Sequence, residues 1–385
     1  MAVLLKKWLY IYRVPRALLT ILVLHTFSTN VLAALVESIP PPGIHEAVEK
    51  FSNNKNPYIF YGLASYYNNT SYFVVDVNSI TPINSGMEIT LKDAQWVALS
   101  HRYDVLVIKA PGLTVKVIDG QLDIDDRAVS SVPVLKISSK DKLFKLAPEL
   151  DQLRYNHLWA PFACLSRVTE VVLVSIQKYI VESWGWTVVI FTFLLKLMLF
   201  PVSVMTMKFQ RIVSQTQSVL APQLAEIKAN YDSEEAHNRI IAAHKELGVS
   251  PFYTLRPLLG SFIQVPILIA VFNSLGEMPQ FNQQQFLWIE SLAHPDVVGH
   301  FPVTLLIFGN TFSILPLLMT AITLYSTLIF KNPHGLKIEV KRQKRNLYFM
   351  ALAFFILFYP FPAVMVLYWT LANVLQMIQQ QLIKA

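Results

Sequence analysis

The chain has 385 residues, of which 54% are hydrophobic and only 15% are charged, and its mean hydropathy is +0.42. Soluble domains carry about 25% charged residues, so this composition disfavours a cytosolic enzyme or an intrinsically disordered protein and favours a membrane protein. The formal charge of +7 is concentrated in particular segments. The single cysteine, Cys164, excludes an internal disulfide framework and a cysteine-based zinc site.

Residues 1–35 have the three parts of a secretory signal peptide. Basic residues without any acid precede a short apolar run over 17–24, and the segment ends on small residues at 33 and 34. This order predicts a signal peptide. Two alternatives stay open: an uncleaved anchor helix over 17–36, and a mitochondrial transit peptide, which the continuous apolar run disfavours.

Residues 36–165 have the composition of a water-soluble domain, with 14 acidic and 12 basic residues. Short alternating or β-branched runs recur between turn residues, at 72–77, 87–91, 104–108, 113–118 and 133–137. Strands at this spacing predict an antiparallel sandwich or barrel, hence a β-rich domain. No catalytic constellation is evident. A pair between His101 and Asp104 is conceivable, but a solvated turn is the favoured interpretation.

After the β-rich domain the sequence becomes strongly apolar. Residues 166–183 show apolar positions at helical spacing with charged ends, which predicts an amphipathic helix in the membrane interface. Five apolar stretches follow, at 184–205, 256–276, 312–330, 346–360 and 362–383. About 20 apolar residues cross a bilayer, so these stretches predict five spans. The 15 residues of 346–360 reach only about 22 Å as a helix, which implies a thin bilayer or a helix inside the bundle.

The loops between these stretches differ in charge. Loop 331–346 has six basic residues and one acid, whereas loop 277–311 has three acids and no Lys or Arg. The positive-inside rule therefore places 331–346 in the cytoplasm and 277–311 outside. Counting back along the chain places 206–255 inside and the β-rich domain outside, with the C-terminus in the cytoplasm.

The cytoplasmic segment 206–255 is predicted to be a helical hairpin. Apolar residues recur at helical spacing in its first half, Asp232 with Glu235 offers a capping box for a second helix, and Gly248 offers its end. A loop of this length with two helical signals favours a role of its own.

Lys196 is the only formal charge deep inside any of the five apolar stretches. A charge at mid-bilayer costs about 2.5–3.5 kcal/mol on insertion scales, so such residues usually face a wet cavity or a partner. No intramembrane carboxylate is available, which favours a hydrated cavity; snorkelling towards the cytoplasm is the alternative. Polar residues in the spans that could line the same cavity are Thr192, Gln264, Asn273, Thr320, Thr323, Ser326, Tyr368, Trp369, Thr370, Asn373 and Gln376.

The last 60% of the chain resembles the YidC/Oxa/Alb membrane-protein insertases. Five segments in register carry the resemblance: Gly185-Trp186 through Thr192 and Lys196 to Pro201; Leu220-Ala221-Pro222; Gln264-Val265-Pro266-Ile267; Phe286-Leu287-Trp288-Ile289; and Phe361-Pro362 through Tyr368-Trp369 and Asn373 to Leu382. The resemblance implies an all-α core of five transmembrane helices with a hydrophilic groove, preceded by an extracytoplasmic β-rich domain.

The resemblance also implies a function. The protein is expected to be a membrane protein insertase and chaperone in the bacterial inner membrane, moving nascent membrane proteins through the groove without nucleotide hydrolysis, cofactor or metal. The expected groove residues are Lys196, Thr192, Gln264, Thr323, Tyr368, Trp369 and Asn373. Lys196 occupies the place of the family's groove arginine, and this departure removes the planar fork that binds carboxylates.

The expected partners are nascent chains, lipid and, through segments 206–255 and 331–346, the Sec translocon and the ribosome. Three other interpretations stay open. A paralogue acting as a Sec-associated assembly chaperone would keep the fold. A transporter would favour internal repeats, of which none is convincing. A membrane enzyme using Lys196 would need an acid–base partner, and none is visible in the spans.

Overall fold

The computed structural model describes residues 37–38, 43–53, 70–118, 120–129, 133–250, 252–255, 258–305, 308–329 and 337–384. Residues 1–35, with the predicted signal peptide, lie outside the described residues, as does the first part of the basic loop, 331–336. Residues Ser38–Ala385 form one compact unit.

The N-terminal part of this unit is β-rich, as predicted. After β1 (Glu37–Ser38), which stands at the boundary of the unit, its elements are α1 (Ile44–Asn53), β2 (Ser71–Val75), β3 (Ile80–Pro82), β4 (Glu88–Thr90), β5 (Trp96–Ser100), β6 (Asp104–Lys109), β7 (Thr114–Ile118), β8 (Gln121–Asp125), β9 (Val134–Ser139) and α2 (Leu143–Leu146). In the larger sheet, five strands lie in the order β9-β6-β5-β2-β3, and the smaller sheet has the order β4-β7-β8. Their pairings are antiparallel.

The central strand β5 is buried along its whole length. Successive side chains of a strand point to opposite faces, so β5 serves two cores. Val97 and Leu99 pack with α1 and the smaller sheet, whereas Trp96 and Ala98 pack against α2 and the residues that follow it. The β-rich region is therefore covered on both faces of its larger sheet.

The rest of the chain is mainly helical. Its elements are α3 (Ala160–Tyr179), α4 (Trp184–Met198), α5 (Phe200–Asn230), α6 (Ser233–Glu246), α7 (Leu258–Glu277), β10 (Val297–Leu305), β11 (Gly309–Ser313), α8 (Leu315–Ile329), α9 (Lys337–Phe358) and α10 (Ala363–Lys384). A continuous apolar core joins α3, α4, α7, α8, the end of α9 and the start of α10.

Within the described residues, α3 alone is both long enough and apolar enough to cross a membrane as a single helix. Helices α4 and α5 meet the same criterion only together, across a bend of 55°. The bend falls inside the predicted span 184–205, where Pro201 stands in the first turn of α5 and cannot continue the preceding helix. Residues 262–277 and α8 are apolar but shorter.

Helices α5 and α6 form a hairpin with a small core of its own around Leu220, Ala243 and Tyr253. The predicted end of α6 is confirmed: Gly248 has φ +64°, and the N–H of Val249 returns to the carbonyl of His244 at 3.0 Å. Asp232 is the N-cap of α6 as expected, but its side chain makes no capping hydrogen bond, so the predicted capping box is wrong.

Candidate functional site

Lys196 lies in the last turn of α4, where the helix dipole favours a cation. Its Nζ donates a hydrogen bond of 3.1 Å to Oε1 of Gln376 on α10. The side chain is half-buried, and none of the ion pairs found among the described residues includes it. A neutral amide satisfies a donor without neutralising the charge, so this part of the helical core keeps a net positive charge.

Thr192 lies one helical turn before Lys196 and is fully buried. Its Oγ1 donates to the carbonyl of Val188 at 2.6 Å. This bond within α4 uses the hydroxyl proton locally, as is common for threonine in apolar helices.

Tyr368 and Trp369 lie side by side near the start of α10, in an aromatic cluster. Phe272 of α7 contacts both rings at centroid distances of 5.9 and 5.8 Å. Phe354 and Phe358 of α9 pack on Trp369 at 5.3 Å each. The two aromatic site residues thus join α7, α9 and α10.

The other predicted groove residues are more dispersed. Gln264 on α7 is exposed, and Asn373 on α10 is half-buried. Thr323 on α8 is half-buried and donates to the carbonyl of Met319 at 2.9 Å. Within the described part of the chain, no hydrogen bond links any of these three to Lys196. Asn373 is three residues before Gln376, so both lie on one side of α10.

Gln376 belongs to the site because it bonds to Lys196, but it is not among the seven groove residues that the family resemblance implies. The sequence carries a signal for it, since Trp369, Asn373 and Gln376 follow helical spacing in the last span. The sequence places Gln376 among the polar residues that could line the cavity of Lys196, but it does not single out Gln376 as the hydrogen-bond partner, because 180 positions separate the two residues.

Two of the motif segments that carry the family resemblance meet in space. Gly185 and Trp186 begin α4, and the ring of Phe286 lies against both. The Trp186 and Phe286 rings meet edge to face at 5.6 Å. A Cβ on Gly185 would overlap the Phe286 ring, so glycine permits this close approach.

The β-rich region docks on the helical core through the turn between β5 and β6. Arg102 is buried, and its Nε and Nη1 donate to the carbonyls of Gly276 and Ala293 at 2.6 and 2.7 Å. Tyr103, also buried, belongs to the apolar core of the helices. This turn therefore inserts into the helical core.

A second set of polar contacts lies beside Arg102, around the buried carboxylate of Glu277 at the end of α7. Lys140 Nζ lies 3.5 Å from one oxygen of Glu277, and His157 Nδ1 lies 3.4 Å from the other. These residues line a cleft of about 320 Å³ between the β-rich region and α7. In the part of the chain that the structure describes, no group of three or more His, Cys, Asp or Glu could hold a metal ion.

Two histidines at this interface have lowered pKa values. Burial, aided by the nearby Lys140, lowers the pKa of His101 to about 4. Burial, aided by Arg102, lowers the pKa of His294 to about 4. His101 stacks on Phe51 at 4.1 Å and shares a hydrogen bond of 3.0 Å with Thr70. The turn that carries it is therefore packed against the rest of the fold and is not the solvated turn that the sequence favours.

Asp296 fixes the start of α8. Its Oδ2 accepts hydrogen bonds from the N–H groups of Ile314 and Leu315 at 3.0 and 2.6 Å. The indole N–H of Trp288 donates to the same oxygen at 3.3 Å. A buried carboxylate in this position satisfies helix N–H groups that would otherwise have no partner.

Comparison with known proteins places these features among membrane proteins. Residues 175–385 match the family described as 60Kd inner membrane protein. Proteins named membrane protein insertase YidC are similar: that of Chlamydia trachomatis is 29% identical over 232 residues, covering 59% of this chain and 28% of the relative. That of Treponema denticola is 30% identical over 241 residues, covering 60% and 40%.

A third relative, the membrane protein insertase YidC of Chlorobaculum tepidum, is 27% identical over 322 residues, covering 76% of this chain and 51% of the relative. The chain thus matches about half of these relatives' length or less. A crystal structure titled as an active YidC insertase with the first transmembrane domain resolved aligns with a TM-score of 0.39 and 19% identity, covering 81% of this chain and 71% of that one.

Proposed function

The chain belongs to the 60Kd inner membrane protein family, the YidC/Oxa/Alb group, and from this membership we propose that it inserts nascent membrane proteins into the lipid bilayer. The relatives named above bear the name of that activity. The observation that carries the proposal is Lys196, a cation in an apolar helix whose bonded partner, Gln376, is a neutral amide.

The proposed mechanism follows from that charge. A cation held in an apolar helix attracts the acidic or polar tail of an incoming chain, and water around it lowers the cost of moving that tail partway across. Apolar segments of the same chain then move sideways into lipid, driven by hydrophobic transfer. The step needs no nucleotide. The groove in this proposal is lined by the exposed or half-buried members of the predicted set, which are Lys196, Gln264, Thr323, Trp369 and Asn373, together with Gln376. Thr192 and Tyr368 are buried and do not line it.

The proposed topology has five spans, at 184–205, 256–276, 312–330, 346–360 and 362–383. Residues 36–165 lie in the periplasm, and the C-terminus lies in the cytoplasm. The charge difference between loops 277–311 and 331–346 supports this arrangement. The α5–α6 hairpin and loop 331–346 then face the cytoplasm, where they are available to the ribosome or the Sec translocon.

A second candidate function keeps the fold but makes the protein a paralogue that acts as an assembly chaperone beside the Sec translocon. The lysine at position 196 favours it, because an ammonium group lacks the bidentate geometry of arginine towards carboxylates.

Insertion into vesicles tests the proposal. Purified protein is reconstituted without the Sec translocon, and a small single-span substrate with a short acidic tail is added. Protease protection of the tail is then measured. We expect protection that depends on the protein. Protection that appears only when the Sec translocon is added would overturn the insertase proposal in favour of the chaperone.

A further inference from the structure

The hairpin formed by β10 and β11 is apolar and exposed. Between Asp296 and Lys331 the sequence contains no Asp, Glu, Lys or Arg. Val298 is 51% exposed and Val303 is 64% exposed. Phe301 and Phe312 meet edge to face across the two strands at 5.7 Å and are themselves exposed. An apolar surface of this kind marks a contact with another phase or partner.

The hairpin is fixed to the end of α9. Phe308 packs on Phe355 and Tyr359 at centroid distances of 5.5 and 4.5 Å. The Tyr359 hydroxyl donates to the carbonyl of Thr311 at 2.7 Å and accepts from the N–H of Ser313 at 3.3 Å. The hairpin therefore has a set position, at the end of α9 opposite its basic N-terminal turns.

The helix that follows the hairpin is shorter than the hydrocarbon layer of a typical bilayer, so the span proposed at 312–330 needs residues beyond this helix. Helix α8 has 15 residues, which gives about 22 Å against a hydrocarbon thickness of about 30 Å. The helix is therefore about 8 Å shorter than the hydrocarbon layer, and residues beyond one of its ends must cover this distance. The uncharged hairpin adjoins its N-terminus. Exposed apolar side chains continue from the hairpin onto α8 at Leu317 and Leu318, and onto α9 at Leu352.

We propose that the β10–β11 hairpin lies in the interfacial layer of the bilayer, on the side where α9 ends, with Val298 and Val303 in contact with lipid. Its depth follows from its backbone. A two-stranded hairpin leaves unpaired N–H and C=O groups on its outer edges, and these need headgroups or water. Trp288 beside it has an indole N–H bound to Asp296 and is 42% exposed, a typical arrangement for tryptophan at this depth.

This inference rests on the protein's being an inner membrane protein and not on its inserting other proteins. It commits to lipid as the occupant because the two helices that adjoin the hairpin, α8 and α9, also expose apolar side chains and belong to the proposed membrane-spanning core. The test has two competing outcomes. In one, a protein partner covers the hairpin; in the other, the bilayer is locally thinned and the hairpin lies in water.

Fluorescence quenching by labelled lipid tests the position of the hairpin. The exposed Cys164 is first replaced by serine. Single cysteines are then introduced as Val303→Cys, Val77→Cys and Leu352→Cys, at side chains that are 64%, 58% and 55% exposed. Each full-length variant is labelled with an environment-sensitive dye. It is reconstituted in vesicles of phosphatidylethanolamine and phosphatidylglycerol that contain lipids with a quencher near the headgroup or deep in the acyl chain.

The proposal expects the dye at 303 to be blue-shifted and quenched most by the shallow quencher. The dye at 77, in the β-rich region, is expected to be unquenched, and the dye at 352 is expected to respond most to the deep quencher. Emission at 303 equal to that at 77 would place the hairpin in water and overturn the proposal. A blue shift at 303 without quenching would mean that protein covers it, and stronger quenching by the deep quencher would contradict the interfacial depth.

Discussion

At the scale of single residues, His101 couples the stability of the β-rich region to pH. Its ring is held between Phe51 and Thr70, with Lys140 nearby. Burial and this positive neighbour favour the neutral imidazole, which lowers its pKa from the ordinary value near 6.5 to about 4. The unfolded chain then binds more protons than the folded chain between these two values.

We therefore expect the free energy of unfolding to fall as the pH drops from about 6.5 towards 4 and to be insensitive to His101 above 6.5. The measurement is the thermal unfolding midpoint between pH 7 and pH 5, for the wild type and for His101→Gln. Glutamine removes the titrating group, so the variant should lose less stability on acidification. Equal slopes for the two proteins would show that His101 is not the titrating group.

At the scale of elements, Gly185 determines how α4 meets the loop before β10. The first turn of α4 lies against the ring of Phe286, and Trp186 packs on the same ring. This contact gives a physical reason for the co-occurrence of the Gly185-Trp186 and Phe286–Ile289 motifs in one chain: each completes the packing of the other.

Gly185→Ala should destabilise the helical core by about 1–3 kcal/mol, because the added methyl group overlaps a fixed aromatic ring. The unfolding midpoint in detergent measures the effect. Gly299→Ala is the matched control, since a Cβ there would meet nothing within 4 Å. Similar midpoints for both variants would mean that the loop yields to the methyl group at little cost.

The elements differ in how far the sequence predicts them. Strands β2, β4, β6, β7 and β9 are predictable because their apolar residues alternate or are β-branched. Strand β5 escapes prediction because it is buried on both faces. Strand β8 escapes it although Leu122 and Ile124 alternate with polar residues, because two of the polar residues are aspartates, which have a low strand propensity. The bend between α4 and α5 has a signal in Pro201, but hydropathy alone does not register a proline inside an apolar run.

The site is less predictable than the elements. Lys196 can be identified because a charge in an apolar stretch is visible locally. Gln376 can be named only as one of several polar residues in the spans, because hydrogen bonds between distant helices depend on packing that no local pattern encodes. The same holds for Arg102, which has the sequence context of an ordinary turn residue.

At the scale of the whole molecule, Arg102 links the β-rich region to the helical core. It bonds to the carbonyl of Gly276, at the end of α7, and to that of Ala293, in the loop that leads to α8. One side chain thus connects the turn of a sheet to two segments of the core. The ion pair of Lys140 with Glu277 lies beside it.

Arg102→Ala should loosen this docking, because it removes charge-assisted hydrogen bonds worth about 1.5–3 kcal/mol each. We expect faster hydrogen–deuterium exchange at residues 101–104 and 276–278, with β7 and β8 unchanged. Arg127→Ala is the control, since Arg127 is exposed and pairs with Asp125 in its own turn. Unchanged exchange at 101–104 would mean that Tyr103 and the apolar contacts suffice to hold the region in place.

The central claim, that the charge of Lys196 serves insertion, is tested most directly by a substitution series in the vesicle assay. Lys196→Arg keeps the charge, Lys196→Gln removes it at similar size, and Lys208→Gln removes an exposed charge from α5 as the control. An attraction of about 1 kcal/mol or more towards an acidic tail corresponds to at least about fivefold in rate. We predict that arginine and the Lys208 variant insert the substrate at the wild-type rate and that Lys196→Gln is at least about fivefold slower. Insertion by Lys196→Gln at the wild-type rate would contradict the account.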